Sequence, residues 1–167
     1  MVSRNIPVKD MTVGAYFRSL TVLHAALLAG QLLFACILFV VVRQQVRRMV
    51  VALPVNPWLY VALGVTFAVL AAAHFVYRSR VDRAREKETL ADQLTAYRTA
   101  FAGRDMALNS LSTVGNILFF LCGNTDYIAI TGMAVLIFAV WWPTKAKVKD
   151  VLGLEGLDNP DALIGGS

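Results

Sequence analysis

The sequence predicts an all-α integral membrane protein: four spans arranged as two parallel helical hairpins, with a cytoplasmic helical extension. Three observations lead there. The 167 residues are 57% hydrophobic and 16% charged, more apolar surface than one soluble domain of this length can hide. The apolar residues gather into four helix-length runs near 20–42, 58–77, 106–122 and 127–142. The basic residues lie beside those runs and not in an aromatic-interleaved patch, so the net charge of +5 reads as a topology signal and an anionic-lipid contact, not as nucleic-acid binding.

The amino-terminal stretch carries Arg4, Lys9 and Arg18 around a weakly apolar Met11–Phe17, the pattern of a frayed start leading into an interfacial helix. Leu20 to Val42 is long enough to cross a bilayer, and Arg43, Arg47 and Arg48 follow it in place of a cleavage site, so it is an uncleaved span. Pro54, Asn56 and Pro57 mark a turn after a helix end in the headgroup region. Trp58 to Tyr77 has aromatic anchors at both ends.

From Arg78 to Asp105 the charge density rises while helix formers continue, which predicts that the second and third helices project beyond the bilayer. Their polar hairpin turns near Glu86–Thr89, with Leu90, Leu94 and Tyr97 as its contact face. Gly123–Asp126 is a tight turn that makes the last two spans antiparallel neighbours. Thr144 can cap a short helix over Lys145–Leu154, and residues 156–167 have the composition of a disordered tail, leaving 1–155 as one transmembrane domain. Thirteen of the sixteen Lys and Arg lie in the amino-terminal segment, the 78–105 segment and the tail. Both termini are therefore expected on the cytoplasmic side of a bacterial inner membrane.

Within the third run, Asn109, Ser112, Thr113 and Asn116 fall on one arc roughly 100° wide at helical spacing, with Asp105 at its charged end. Together with His24 and Gln31 they form a candidate polar seam or pathway. Neutral amides and hydroxyls can bond helix to helix, or can hydrogen-bond a polar solute. Small residues supply candidate packing surfaces: Ala26 and Gly30 on the first span, Gly64, Ala68 and Ala72 at every fourth position of the second, Gly115 on the third and Gly132 on the fourth. Laying Gly30 on Gly115 also sets His24 on Asn109 and Gln31 on Asn116, and Gly64 falls on Gly132. This predicts an internal parallel repeat with a pseudo-twofold axis near the membrane normal.

The hairpin pair with glycine-bearing first helices is similar in plan to the duplicated proteolipid (c-type) subunits of rotary ATPases. It also resembles small uncharacterised bacterial four-span proteins in which an Ala-Leu-x-x-Gly helix precedes a tail like Pro143-Thr144-Lys145. The chain departs from the proteolipids at the decisive position, because Ser112-Thr113-Val114-Gly115 offers no intramembrane carboxylate. Proton translocation by their mechanism is not implied.

Cys36 and Cys122 have no metal-ligand spacing, and no nucleophile stands with a base. The expected function is non-enzymatic: a scaffold or accessory subunit that forms homo-oligomers or docks on a larger membrane complex, with no cofactor and no metal. One alternative is a homo-oligomeric channel or transporter lined by the Asn109/Asn116 stripe. A second is a small b-type cytochrome in which His24 and His74 bind haem b and Arg78 meets a propionate.

Overall fold

The computed structural model of the protein describes residues 7–44, 55–154 and 163–165. Arg47, Arg48 and Pro54 lie outside the described residues, whereas Asn56 and Pro57, expected in a turn, sit in the first turn of α2, where a proline leaves no helical hydrogen bond unmade. The regular elements are helical: α1 Val13–Gln44, α2 Val55–Arg85, α3 Leu90–Cys122, α4 Ile128–Val140 and α5 Lys145–Leu152, with single 3-10 turns at Val8–Asp10 and Thr125–Tyr127.

Among the described residues, three helices are long and apolar enough to cross a membrane: Val13–Gln44, Pro57–Arg85 and Leu90–Cys122. The fourth expected span, 127–142, is shorter than the sequence suggests. Tyr127 closes a 3-10 turn and α4 stops at Val140, leaving 13 residues, about 20 Å of helix against a hydrocarbon core of about 30 Å. Trp141 has left helical geometry, and Pro143 two residues on cannot rejoin it. α4 counts as a span only together with α5, across the break at 141–144, so the total is three or four.

The helices also outrun the apolar runs that predict them, since α1 starts seven residues before Leu20. The charged segment 78–105 is the continuation of α2 and α3 and not a separate element. α2 and α3 are broken at 86–89, where Thr89 caps α3. Its Oγ1 accepts from the Asp92 N–H at 3.1 Å and donates to Asp92 Oδ2 at 2.8 Å.

The chain forms two compact units. The first comprises Met1–His24, Phe75–Gly103 and Trp142–Ser167. Its core joins Tyr16, Phe17 and Leu20 of α1 with Leu94, Tyr97 and Phe101 of α3, to which Ala84 of α2 and Val148 and Leu152 of α5 add. Tyr16 Oη donates to the Leu94 carbonyl at 2.8 Å in the buried interior, so the phenol is satisfied where water cannot reach it. α5 begins at Thr144, whose side chain accepts from the Lys147 N–H, and ends at Gly153 with φ 65°, a left-handed residue that suits glycine. Residues 163–165, expected in the disordered tail, are instead paired. Thr12 and Leu163 form an antiparallel bridge, the Ile164 N–H donates to the Met11 carbonyl at 3.1 Å, and the Ile164 side chain is buried.

The second unit comprises Ala25–His74 and Arg104–Trp141. Phe119, Cys122, Tyr127 and Ile130 form its core, against which Phe39 of α1 and Leu59 and Leu63 of α2 pack. Gly123, with φ 64°, reverses the chain after α3, and Asn124 Oδ1 accepts from the Asp126 N–H at 2.9 Å. α3 and α4 are consequently antiparallel neighbours. A Cβ on Gly115 would stand 3.0 Å from both Ile130 Cβ and Thr131 Oγ1, so α4 approaches α3 as closely as a bare backbone allows.

α1 and α3 run parallel. In the first unit Tyr16 meets Leu94, 78 residues on, and His24 meets Phe101; in the second Gln31 meets Asn109, again 78 residues on. The repeat alignment pairs Gln31 with Asn116 instead, 85 residues on. The seven-residue difference is about 10 Å of helix. A simple twofold along the membrane normal would put aligned residues at one level, and the observed pairing does not.

The glycines give a direct check on this packing. Gly115→Ala should destabilise the protein by about 1–3 kcal/mol through overpacking. Gly30→Ala, where a Cβ meets nothing within 4 Å, should be neutral or stabilising by up to about 1 kcal/mol through helix propensity. Thermal unfolding of the two variants in one detergent measures the difference, and equal melting temperatures would contradict the tight α3–α4 contact.

Candidate functional site

The polar stripe of α3 resolves into two arms, both within the second unit. On one, Gln31 Nε2 of α1 donates to Asn109 Oδ1 at 3.1 Å. On the other, Thr131 Oγ1 of α4 donates to Asn116 Oδ1 at 2.9 Å and shares its proton with the Ser112 carbonyl at 3.2 Å. Ser112 and Asn116 are buried, whereas Asn109 and Thr113 are half-buried. Thr113 turns its hydroxyl back to the Asn109 carbonyl at 2.9 Å, so it serves its own helix and not a neighbour.

The hydrogen bonding is incomplete. Gln31 Oε1, Ser112 Oγ, Asn116 Nδ2 and Tyr127 Oη are buried without a hydrogen-bond partner among the described residues. Each such group costs about 1–3 kcal/mol if nothing pairs with it, and together they leave acceptors and donors that water or a polar solute could use. They are neutral amides and hydroxyls, so the seam can orient, hydrogen-bond and solvate a polar group.

Two features of this unit escape the sequence reading. Thr131 is a lone hydroxyl in the apolar run of α4, beside Gly132, and that isolation is its signal in the sequence. Asp105, expected at a membrane edge, is completely buried. Arg104 Nη2 lies 3.5 Å from its Oδ1 and 3.5 Å from the Trp141 carbonyl, while the guanidinium carbon sits 4.7 Å from the Trp141 ring centre. The ion pair and the cation–π contact share one cation, which offsets the desolvation of a buried carboxylate.

The remaining candidates are placed as follows. His24 belongs to the first unit and is fully buried, with Trp142 5.2 Å and Phe101 5.7 Å away between ring centres. His74 belongs to the second unit, is exposed, and stacks on Trp141 at 6.0 Å. Among the small residues, Gly115 alone is buried; Ala26, Gly30, Gly64, Ala68, Ala72 and Gly132 are exposed, and a Cβ on Gly30, Gly64 or Gly132 would meet nothing within 4 Å. The ridges read from spacing are therefore not packing surfaces inside the chain, with Gly115 the exception.

No family model, curated protein or solved structure matches the chain.

The α3–α4 arm can be measured by a double-mutant cycle. Thr131→Val and Asn116→Leu should each destabilise, and the double variant should cost less than their sum by about 0.5–2 kcal/mol. Unfolding free energies of the four proteins in detergent give the coupling. Strict additivity would mean that the bond contributes nothing.

Proposed function

We propose that the protein is a non-enzymatic membrane scaffold or accessory subunit that associates, with itself or with a larger complex, through its small-residue faces. The observation that carries this reading is the division of labour between its polar and its bare surfaces. Ser112 and Asn116 are turned inward and tied to Thr131, while Gly30, Gly64 and Gly132 are left facing outward with no atom against them. In hydrocarbon, close backbone approach at small residues is a principal source of helix association. The placement that goes with this function is the bacterial inner membrane with both termini cytoplasmic, supported by the basic residues of the amino-terminal segment, of 78–105 and of the tail.

A second reading has its own observation. The unpartnered Gln31 Oε1, Ser112 Oγ and Asn116 Nδ2 favour a hydrated seam, and in a homo-oligomer that seam would line a channel or transporter for a neutral or monovalent polar solute.

The two readings separate experimentally. Native mass measurement of the gently extracted protein should find it in an assembly heavier than one chain, and Gly64→Leu with Ala68→Leu should release the monomer while the helix content is kept. A wild-type protein that is monomeric in lipid nanodiscs and retains no partner would sink the scaffold reading. For the channel, Asn109→Leu with Asn116→Leu should abolish solute flux into proteoliposomes, and undiminished flux would remove the stripe from the pathway.

A further inference from the structure

Outside the seam, the first unit contains a cleft of about 570 Å³ between the Pro7–Lys9 segment and the first three turns of α3. That size suits a small ligand or a lipid headgroup. Its polar lining is Lys9 from one side and Thr89, Asp92, Thr95, Arg98 and Thr99 from the other. The segment bearing Lys9 is held in place, because the Lys9 carbonyl accepts from the Gly165 N–H at 3.0 Å. A Cβ on Gly165 would come within 2.7 Å of that oxygen, so only glycine permits the approach.

The lining groups differ in what they can still offer. Thr95 and Thr99 already donate their hydroxyl protons to the Ala91 and Thr95 carbonyls, at 2.7 and 3.1 Å. Thr89 donates to Asp92 Oδ2 and accepts from the Asp92 N–H, which occupies one carboxylate oxygen and closes the start of α3. Neither the helix terminus nor the threonines therefore have strong donors to give. Lys9 and Arg98 do. Arg98 is half-buried, and neither cation makes an ion pair or a side-chain hydrogen bond among the described residues. A guanidinium with its fork of donors and an ammonium, converging from two elements, are the groups that hold phosphate oxygens.

We propose that this cleft is a binding site for a phosphodiester anion. Two cations and one carboxylate leave a net charge of +1, which matches a singly charged phosphodiester better than a doubly charged monoester. The same chemistry is presented by an anionic phospholipid headgroup and by a free dialkyl phosphate. The site is independent of the seam and of the association faces.

The test uses the full chain in a neutral maltoside detergent with two probes: dimethyl phosphate, titrated calorimetrically, and phosphatidylglycerol, counted by native mass spectrometry. One phosphodiester per chain should bind saturably from at least one probe. Binding should weaken about tenfold in Arg98→Gln and in Lys9→Gln and stay unchanged in Arg83→Gln, which removes an exposed cation outside the cleft. Lys9 is exposed, so its variant keeps the test valid even if Arg98→Gln lowers the melting temperature. Retention of phosphatidylglycerol alone identifies the ligand as a lipid headgroup, and response to dimethyl phosphate identifies a site open to free phosphodiesters. The proposal is overturned if neither probe binds, if the two cleft variants bind like wild type, or if Arg83→Gln weakens binding equally.

Discussion

The second unit depends on how α3 satisfies its polar face. Only 6% of the apolar window of α1 or of α2 is buried, against 44% of that of α3, so α3 is the helix around which its neighbours are fixed. Lipid tails are as apolar as leucine, and burying leucine against leucine gives a membrane helix little reason to prefer one neighbour. Specific choice comes from atoms that hydrocarbon cannot satisfy, and here these are Asn109, Ser112 and Asn116. Gln31 answers the first and Thr131 the last, sharing its proton with the Ser112 carbonyl, while Ser112 Oγ has no partner among the described residues. Gly115 then decides how near α4 can come, and the 2.9 Å bond from Thr131 to Asn116 depends on that approach.

The first unit is held by different means. Its aromatic and aliphatic core draws on α1, α2, α3, α5 and the paired residue Ile164, and its helices are capped by hydroxyls at Thr89 and Thr144. Most charged side chains of Arg78–Lys87 remain exposed, where ion pairs such as Arg85 with Asp82 at 3.8 Å contribute little. Here the close packing of this core does the stabilising. The two units thus rest on different interactions, polar pairing along α3 in the second and an aromatic and aliphatic core in the first.

That division explains which features could be read in one dimension. Helical period and apolar content are local, so the long helices, the break at 86–89 and the stripe of α3 are all visible in the residues themselves. The cap at Thr89 follows from a hydroxyl three places before Asp92, and the cap at Thr144 from its place after Pro143. Register between helices is not local. The alignment of Gly30 with Gly115 carries an offset of 85, yet the contacts fall at 78, because a polar pattern fixes a face and not a height. Burial of Asp105 was hidden for a similar reason: a charge at the end of an apolar run looks like an edge until Arg104 and Trp141 are known to cover it. Residues 163–165 were hidden by composition, since glycine-rich chain pairs as readily as it wanders when a partner backbone at Lys9–Thr12 is at hand.

The glycines sharpen the functional argument. A glycine inside a helix costs about 1 kcal/mol relative to alanine, and Gly115 offsets that cost by letting α4 reach α3. Gly30, Gly64 and Gly132 incur the same cost with nothing against them inside the chain. Alanine would fit at each of the three without displacing a neighbour, so their own helix bundle gives no reason for the bare backbone. Lipid does not reward a missing methyl group, since flexible acyl chains fill either surface. A second helix does, because removing the Cβ brings two backbones into van der Waals contact and allows Cα–H to carbonyl contacts. Outward glycines on helices whose polar groups point inward are thus the observation on which the proposed association rests.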